Sequence, residues 1–132
     1  MKIIDGKGVV MGRLASFVAK ALLRGDEIKV INCNRVIISG NKKNIEKEFL
    51  KERMKVGSGQ KGPKHSRISE KIVKRAIRGM LPNHRTGRGR IAWKNLKCYN
   101  ETPKELEGKE LMELEKPEKI KFIEVISLQK KK

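Results

Sequence analysis

The sequence has little cysteine, few aromatic side chains and no long apolar run. Its 132 residues include two cysteines, three phenylalanines, one tyrosine and one tryptophan. Because Cys33 and Cys98 form no disulfide framework, we expect a reduced, intracellular chain. No segment approaches the roughly 18 consecutive apolar residues that a membrane span needs. Charge and glycine interrupt residues 1–14, so we expect no secretory signal there.

Acidic residues are also scarce. The chain carries 33 Lys and Arg against 15 Asp and Glu, so its formal net charge is +18 and its pI is about 10.2. Repulsion among this excess of positive charges opposes compaction of the chain. The excess therefore indicates a polyanionic partner, with nucleic acid as the first candidate. The hydrophobic fraction of 37% supports a modest core, and the length predicts a single domain spanning residues 1–132.

The positive charge is concentrated in the middle of the chain. Residues 53–90 contain twelve Lys and Arg but one acid, Glu70, and three further lysines end the chain at 130–132. Solubility alone does not require such an asymmetry. We therefore divide the domain into a βαβ-type core at 1–56, a basic RNA-binding segment at 57–98 and a C-terminal helix, strand and lysine tail at 99–132.

Hydrophobic periodicity predicts an α/β fold. Apolar runs predict strands at Lys2–Asp5, Ile28–Asn32, Val36–Ser39 and Ile120–Leu128. Apolar stripes and capping residues predict helices at 14–22, at Asn44–Met54, from Ser69 as N-cap to about Arg78, around Ile91–Leu96, and from Thr102-Pro103 into an acidic stretch. Strand, helix and strand in succession indicate a mostly parallel sheet of about four strands in a three-layer α/β/α arrangement, with basic loop and helix extensions.

The helix that begins at Ser69 carries the sharpest functional signal. Lys71, Lys74, Arg75 and Arg78 recur at i, i+3, i+4 and i+7, which places them within about 100° of one another. Apolar residues from Ile72 to Ile77 occupy the opposite side. A purely structural surface helix would normally intersperse acids among these cations, so the pattern favours phosphate contact.

Two predicted loops flank this helix, at 57–67 and 83–90, and both alternate cations with small residues. Glycine lets backbone approach a phosphate closely, and arginine binds it in a bidentate manner. With few aromatics, stacking on bases is not the expected mode, so we predict recognition of RNA shape and phosphates. The candidate RNA-binding residues are Arg53, Lys55, Lys61, Lys64, His65, Arg67, Lys71, Lys74, Arg75, Arg78, His84, Arg85, Arg88, Arg90 and Lys94.

A glycine-punctuated turn offers an alternative function. Gly6, Gly8 and Gly12 lie between a predicted strand and a predicted helix, as in a dinucleotide-binding fingerprint. The third glycine is displaced by one position, and the second strand ends in Asn32 where such folds place an acid. A small nucleotide-binding enzyme using Gly6–Gly12 therefore remains the alternative, and a tight strand-to-helix turn is the simpler interpretation.

Other chemistry has weak support in the sequence. The order Cys33, His65, His84 and Cys98 matches no compact zinc-finger spacing, so we expect no metal site. No constellation of Ser, His and Asp or of paired carboxylates indicates catalysis, and we expect no cofactor. Duplex-DNA binding is a further alternative, but no helix-turn-helix pattern supports it.

Short motifs that occur in order resemble a known family. They are Asp5-Gly6, Gly12-Arg13-Leu14-Ala15, Val30-Ile31-Asn32, Ser39-Gly40, Gly62-Pro63 with His65 and Arg67, Arg78-Gly79-Met80-Leu81-Pro82, Arg88-Gly89 and Leu96-Lys97. This succession resembles the large-subunit ribosomal protein L13 family in its archaeal and eukaryotic form. The resemblance covers roughly residues 3–103, and the Arg-Gly-Met-Leu-Pro stretch is its most specific part.

The resemblance implies an α/β core with a mostly parallel sheet and a noncatalytic role in binding and assembling large-subunit rRNA in the cytoplasm. The implied partners are that rRNA and neighbouring large-subunit proteins, with no membrane and no small-molecule substrate. Carried over by position, the RNA contacts would fall on Gly62–Arg67, the cationic helix face and His84–Arg90. Abundant Lys and Glu with two Gln are compatible with a thermophilic source.

Overall fold

The computed structural model describes residues 1–55, 65–117 and 121–129. The helices are α1 (Met11–Leu23), α2 (Lys42–Met54), α3 (Ser69–Gly79), α4 (Gly87–Lys94) and α5 (Ile126–Gln129). The strands are β1 (Lys2–Asp5), β2 (Ile28–Ile31), β3 (Ile37–Ser39), β4 (Leu96–Cys98), β5 (Met112–Glu113) and β6 (Phe122–Glu124). Among the described residues, 3₁₀ turns lie at Cys33–Arg35 and Lys104–Leu106.

The main sheet has four parallel strands in the order β4-β2-β1-β5. Strands β3 and β6 form a separate antiparallel pair. An isolated parallel bridge between Val10 and Ile37 connects this pair to the turn that precedes α1. A mostly parallel four-stranded sheet flanked by helices confirms the predicted fold class, and it is consistent with three layers.

The two faces of the sheet differ in what covers them. Side chains alternate along a strand, so Ile4 and Val30 face the main core, where α1, α3 and α4 pack. Ile3 and Ile31 face the other side and are covered by Leu106 with Tyr99. The short 3₁₀ turn that carries Leu106 thus closes the second face.

Several predicted elements differ from those observed. The acidic helix expected after Thr102-Pro103 is one 3₁₀ turn, because Pro103 is its extended N-cap and the chain becomes extended again at Glu107. The last predicted strand ends at Glu124, and residues 126–129 form a helical turn. Ile120 and the lysine tail lie outside the described residues.

Strand β4 was predicted as part of a helix that included Leu96. The chain leaves the helix at Asn95, and Leu96 pairs with Ile28 of β2. Three residues are too few for a sequence period to reveal a strand, and the pairing partner lies far away in the chain. The two-residue strand β5 has no sequence signal for the same reason.

Local sequence explains the helices that were predicted well. Helix α1 buries Leu14, Val18 and Leu22 along one stripe and ends where Gly25 adopts a positive φ of 97°. Helix α2 begins at an Asn41 side chain whose oxygen accepts the backbone N–H of Lys43 at 3.0 Å, a typical N-cap. No residue of α2 is fully buried.

The glycines of the first turn provide a test of the packing. A Cβ on Gly6 would lie 2.7 Å from Val36 Cγ2 and 3.2 Å from the Ile31 carbonyl oxygen, whereas one on Gly12 would meet nothing within 4 Å. We expect Gly6→Ala to destabilise the fold by about 1–3 kcal/mol through overpacking. Gly12→Ala should be neutral or stabilising by up to about 1 kcal/mol, because it sits in a helix.

Chemical denaturation followed by circular dichroism measures both changes. Equal stability of the Gly6→Ala variant and the unmodified chain would contradict the assigned packing. Gly12→Ala serves as the matched control, since it makes the same substitution six residues away.

Candidate nucleic-acid interface

Helix α3 separates its apolar and cationic residues as predicted. Val73 and Ile77 are completely buried and pack in the main core. Lys71 is exposed on the other side, and Lys74, Arg75 and Arg78 are half-buried. The helix packs on α1 and β4. Burial of the apolar edge therefore determines which way the cations point.

The cations of α3 surround a shallow depression. Its volume is about 200 Å³, and it is lined by Ser66, Lys71, Lys74, Arg75, Arg78 and Trp93. Four positive side chains around one concavity create a strongly positive potential at the surface. Phosphate oxygens are the acceptors that Lys and Arg bind best.

Trp93 of α4 forms one wall of the depression and orients two basic residues. The Lys74 ammonium lies 4.7 Å from the centroid of the Trp93 ring, a cation–π contact worth about 0.5–1 kcal/mol at a partly exposed site. The His84 ring meets the indole edge-on, at 6.1 Å between centroids and 62° between planes. The indole thus connects α3, α4 and the segment between them.

The first turn of α3 is capped differently from the prediction. The N-cap is Ile68, and Ser69 is the first helical residue and is fully buried. The Ser66 hydroxyl accepts the Ile68 N–H at 3.1 Å, and Asn100 Oδ1 accepts the Glu70 N–H at 2.8 Å. Asn100 is thirty residues away in sequence, so no local signal marks it as the cap.

The segment predicted as a second glycine-rich loop is largely helical. Helix α4 begins at Gly87, whose φ is +58°. Gly89 is buried, and a Cβ there would collide with the Pro82 and Asn83 carbonyl oxygens. The prediction of a loop at 87–90 is therefore wrong, since these residues are helical. The helix packs closely on the backbone of Pro82 and Asn83, and only glycine at position 89 permits that approach.

His65 lies between α2 and α3 and has an altered titration. Its Nε2 atom lies 3.8 Å from Glu52 Oε2, and it lines a second cavity of about 330 Å³ beside Phe49, Ile72 and Arg75. Burial and the nearby Arg75 cation lower the pKa of His65, and Glu52 opposes the shift. A hydrogen bond from Lys55 lowers the pKa of Glu52, so that carboxylate stays charged.

The structure groups most of the predicted site residues around α3 and α4. Among the candidates, Lys55, Lys71, Arg85, Arg88, Arg90 and Lys94 are exposed, and Arg53, His65, Arg67, Lys74, Arg75, Arg78 and His84 are half-buried. Lys55 pairs with Glu52 at 2.9 Å. Lys61 and Lys64 lie outside the described residues. Asn100, which caps α3, and Trp93, which lines the depression, carry no charge and are not among the fifteen candidates.

The glycine turn at 6–12 has a packing explanation. The Gly6 N–H donates to the Ile31 carbonyl at 3.0 Å and the Gly8 N–H to the Arg35 carbonyl at 2.9 Å, so the turn is closed on the 3₁₀ turn at 33–35. Gly6 leaves room for Val36. These contacts account for a tight strand-to-helix turn, and the comparisons below do not support the enzyme alternative.

Within residues 1–55, 65–117 and 121–129, no group of three or more His, Cys, Asp or Glu side chains is placed to hold a metal ion. Over the same residues, no helix is long and apolar enough to cross a membrane.

Comparison with known proteins identifies relatives. A family model described as ribosomal protein L13 matches residues 1–105. The large ribosomal subunit protein uL13 of Methanosphaera stadtmanae is 47% identical over 116 residues, which cover 86% of this chain and 81% of that protein. The uL13 protein of Archaeoglobus fulgidus is 41% identical, covering 86% and 71%. That of Thermoplasma volcanium is 36% identical, covering 98% and 93%.

Gly89 tests whether tight packing holds α4 in place. We expect Gly89→Ala to displace α4 from residues 82–83 and to weaken the contacts of Trp93 with Lys74 and His84. Near-ultraviolet circular dichroism, dominated by the single tryptophan, should lose intensity. Gly79→Ala is the control, since a Cβ there meets nothing within 4 Å; equal spectra for both variants would contradict the packing.

The titration of His65 tests the electrostatics beside α3. We expect its pKa to rise toward the ordinary value in Arg75→Ala and to fall further in Glu52→Gln. Because the pKa of His65 is lowered on folding, the unfolded chain binds the proton more readily than the folded chain. The folding stability that neutral His65 contributes is therefore complete above the ordinary pKa near 6.5. It declines as the pH falls from that value toward the lower pKa of the folded state. NMR titration of the two histidines, assigned with His84→Gln, measures the shifts; an unchanged pKa in Arg75→Ala would contradict the assignment.

Proposed function

Because this chain belongs to the ribosomal protein L13 family, we propose that it is a structural constituent of the large ribosomal subunit. It binds large-subunit rRNA and supports subunit assembly, in the cytoplasm and beside neighbouring large-subunit proteins. The relatives are named as large ribosomal subunit proteins, and the charge of +18 suits a polyanionic partner. Its role is binding and assembly, without catalysis.

The cationic face of α3 is the observation that carries this proposal. Lys71, Lys74, Arg75 and Arg78 surround one depression, and the opposite edge of the same helix is buried in the core. A helix anchored in this way presents its charges without having to order on binding. The residues proposed to contact rRNA are the fifteen predicted above, with α3 at their centre.

Phosphate and shape recognition fits this surface better than base stacking. Trp93 already contacts Lys74 and His84, so its indole serves to hold cations in position. The exposed arginines of the 85–90 segment extend the positive surface along α4. Arginine and lysine contacts of this kind position a protein on folded RNA without reading sequence.

The segment at 57–98 acts in this proposal as the rRNA-binding part, and residues 1–56 supply its support. Helices α3 and α4 pack on α1, and both contribute to the same core cluster as β1 and β2. Helices α3 and α4 of the binding segment are therefore stabilised by packing on the scaffold. Residues 99–117 and 121–129 complete the scaffold on its other sides.

Charge removal on α3 tests the proposal. In the variant Lys74→Ala, Arg75→Ala, Arg78→Ala, affinity for large-subunit rRNA should fall by orders of magnitude at moderate salt. The slope of log affinity against log salt should decrease by about two to three, since each of the three lost phosphate contacts contributes roughly 0.7–0.9. Filter binding or fluorescence anisotropy across a salt series measures both quantities.

A matched control separates local contact from net charge. The variant Arg24→Ala, Lys104→Ala, Lys109→Ala removes the same number of charges from exposed positions outside the binding segment. It should change affinity much less than the α3 variant. Equal losses in the two variants, or affinity for duplex DNA equal to that for folded rRNA, would contradict recognition through the α3 face.

A further inference from the structure

A polar cavity, distinct from the two concavities beside Arg75, lies at the carboxyl ends of β2 and β4, next to the first turn of α3. Its volume is about 570 Å³, and its lining is mostly polar: Asn32, Asn34, Arg35, Asn100, Glu101 and Glu124. Ligands of α/β folds commonly bind outside the carboxyl ends of parallel strands. None of these residues belongs to the fifteen candidate contacts of the cationic surface.

Asn32 gives this cavity a defined shape. It is the one non-glycine residue with a positive φ, 56°, among the described residues, a conformation that asparagine tolerates best. Its Nδ2 donates to Asp5 Oδ1 at 3.0 Å, and its Oδ1 accepts the Thr102 hydroxyl at 3.3 Å. These bonds hold together the ends of β1 and β2 and the segment that follows β4.

The cavity offers hydrogen-bond acceptors to a ligand. Asn34 Oδ1 is buried and has no hydrogen-bond partner among the described residues. The carboxylates of Glu101 and Glu124 lie in the same lining, and Arg35 is its one cation. A buried acceptor without a donor costs about 1–3 kcal/mol, so a ligand that brings N–H groups would be stabilised here.

Charge decides which donor fits. The carboxylates of Glu101 and Glu124 in the lining repel a phosphate. The overall charge of +18 repels a cationic peptide at long range and attracts a polyanion. A neutral group that donates hydrogen bonds and is carried on a polyanion satisfies both conditions. A nucleobase on an RNA chain has this chemistry.

We propose that this cavity binds an unpaired guanine base of the RNA held by α3. Guanine presents two neighbouring donor groups, N1–H and the 2-amino group, on its Watson–Crick edge, and a carboxylate accepts such a pair. Sequence-specific RNA recognition typically uses splayed-out bases of this kind. The inference rests on the proposed function, because the RNA backbone must be bound nearby.

One residue connects the cavity to the helix that carries the cationic face. Asn100 lines the cavity, and its side chain caps α3 by accepting the Glu70 N–H at 2.8 Å. Its backbone carbonyl also accepts the Asn34 N–H at 3.3 Å. Asn100 thus links the cavity lining to the first turn of the helix that carries Lys71 and Lys74.

A set of RNA hairpins that differ at one bulged nucleotide tests the proposal. The hairpins carry a bulged G, A, C, U or inosine, which lacks the 2-amino group, and a sixth has no bulge. Because a well-placed base contact discriminates by about tenfold or more, we expect the bulged-G hairpin to bind at least about tenfold tighter than the other three standard bases. Inosine should be intermediate. Fluorescence anisotropy at one salt concentration gives all six affinities.

Variants separate the cavity from the phosphate surface. Asn34→Ala and Glu101→Gln should each reduce the guanine preference to about twofold or less and leave affinity for the hairpin without a bulge unchanged. Glu105→Gln, exposed and outside the cavity, is the matched control. Lys74→Ala should weaken all six hairpins alike and retain the preference.

Each alternative outcome has one meaning. Equal affinities for the four standard bulges, or a guanine preference that survives both cavity variants, overturns the guanine site. An arginine-rich peptide tests for a protein partner. If this peptide displaces the bulged-G hairpin, binds the Lys74→Ala variant normally and binds the Glu101→Gln variant weakly, the cavity binds a protein instead of a base. If the unmodified chain shows no salt-dependent binding to any of the six hairpins, the proposed function itself is contradicted.

Discussion

Burial of the apolar edge of α3 against the core is the interaction on which the rest of the structure depends. Neighbouring cations on this helix repel one another by about 0.2–0.5 kcal/mol for each pair three or four residues apart. Burial of Val73 and Ile77, both at 0% exposure, contributes about 1.5–3 kcal/mol for each side chain. The apolar term is larger, so the helix stays folded with its four cations concentrated on the outer side. A helix without that anchoring would disperse the charge.

Contacts from distant parts of the chain then refine this helix. Asn100 caps its first turn, and Trp93 fixes the position of the Lys74 ammonium. Gly89 allows α4 to lie directly on the backbone of Pro82 and Asn83, which brings Trp93 beside α3. The cationic surface is therefore a product of two helices and one loop, each held by a different kind of force.

The fold presents two chemically different surfaces on and beside α3. The α3 face is positive and suits phosphates, which carry no sequence information. The cavity behind the first turn of α3 is rich in acceptors and suits the edge of a base. Asn100 links the two, because its side chain caps α3 and its backbone carbonyl accepts the Asn34 N–H.

Much of the fold and of the charged surface could be predicted from the sequence by itself. The periodicity of α1 and α3, the strands β1, β2 and β3, and the segregation of Lys71, Lys74, Arg75 and Arg78 follow from local patterns, because side-chain direction repeats with a fixed period within a helix or strand. Tertiary structure alone decided the helical state of Gly87–Arg90, strand β4, the Asn100 cap and the cavity around Asn34. These features depend on pairs of residues that are distant in sequence and meet only when parallel strands and their connections are assembled, and no local period records such a meeting.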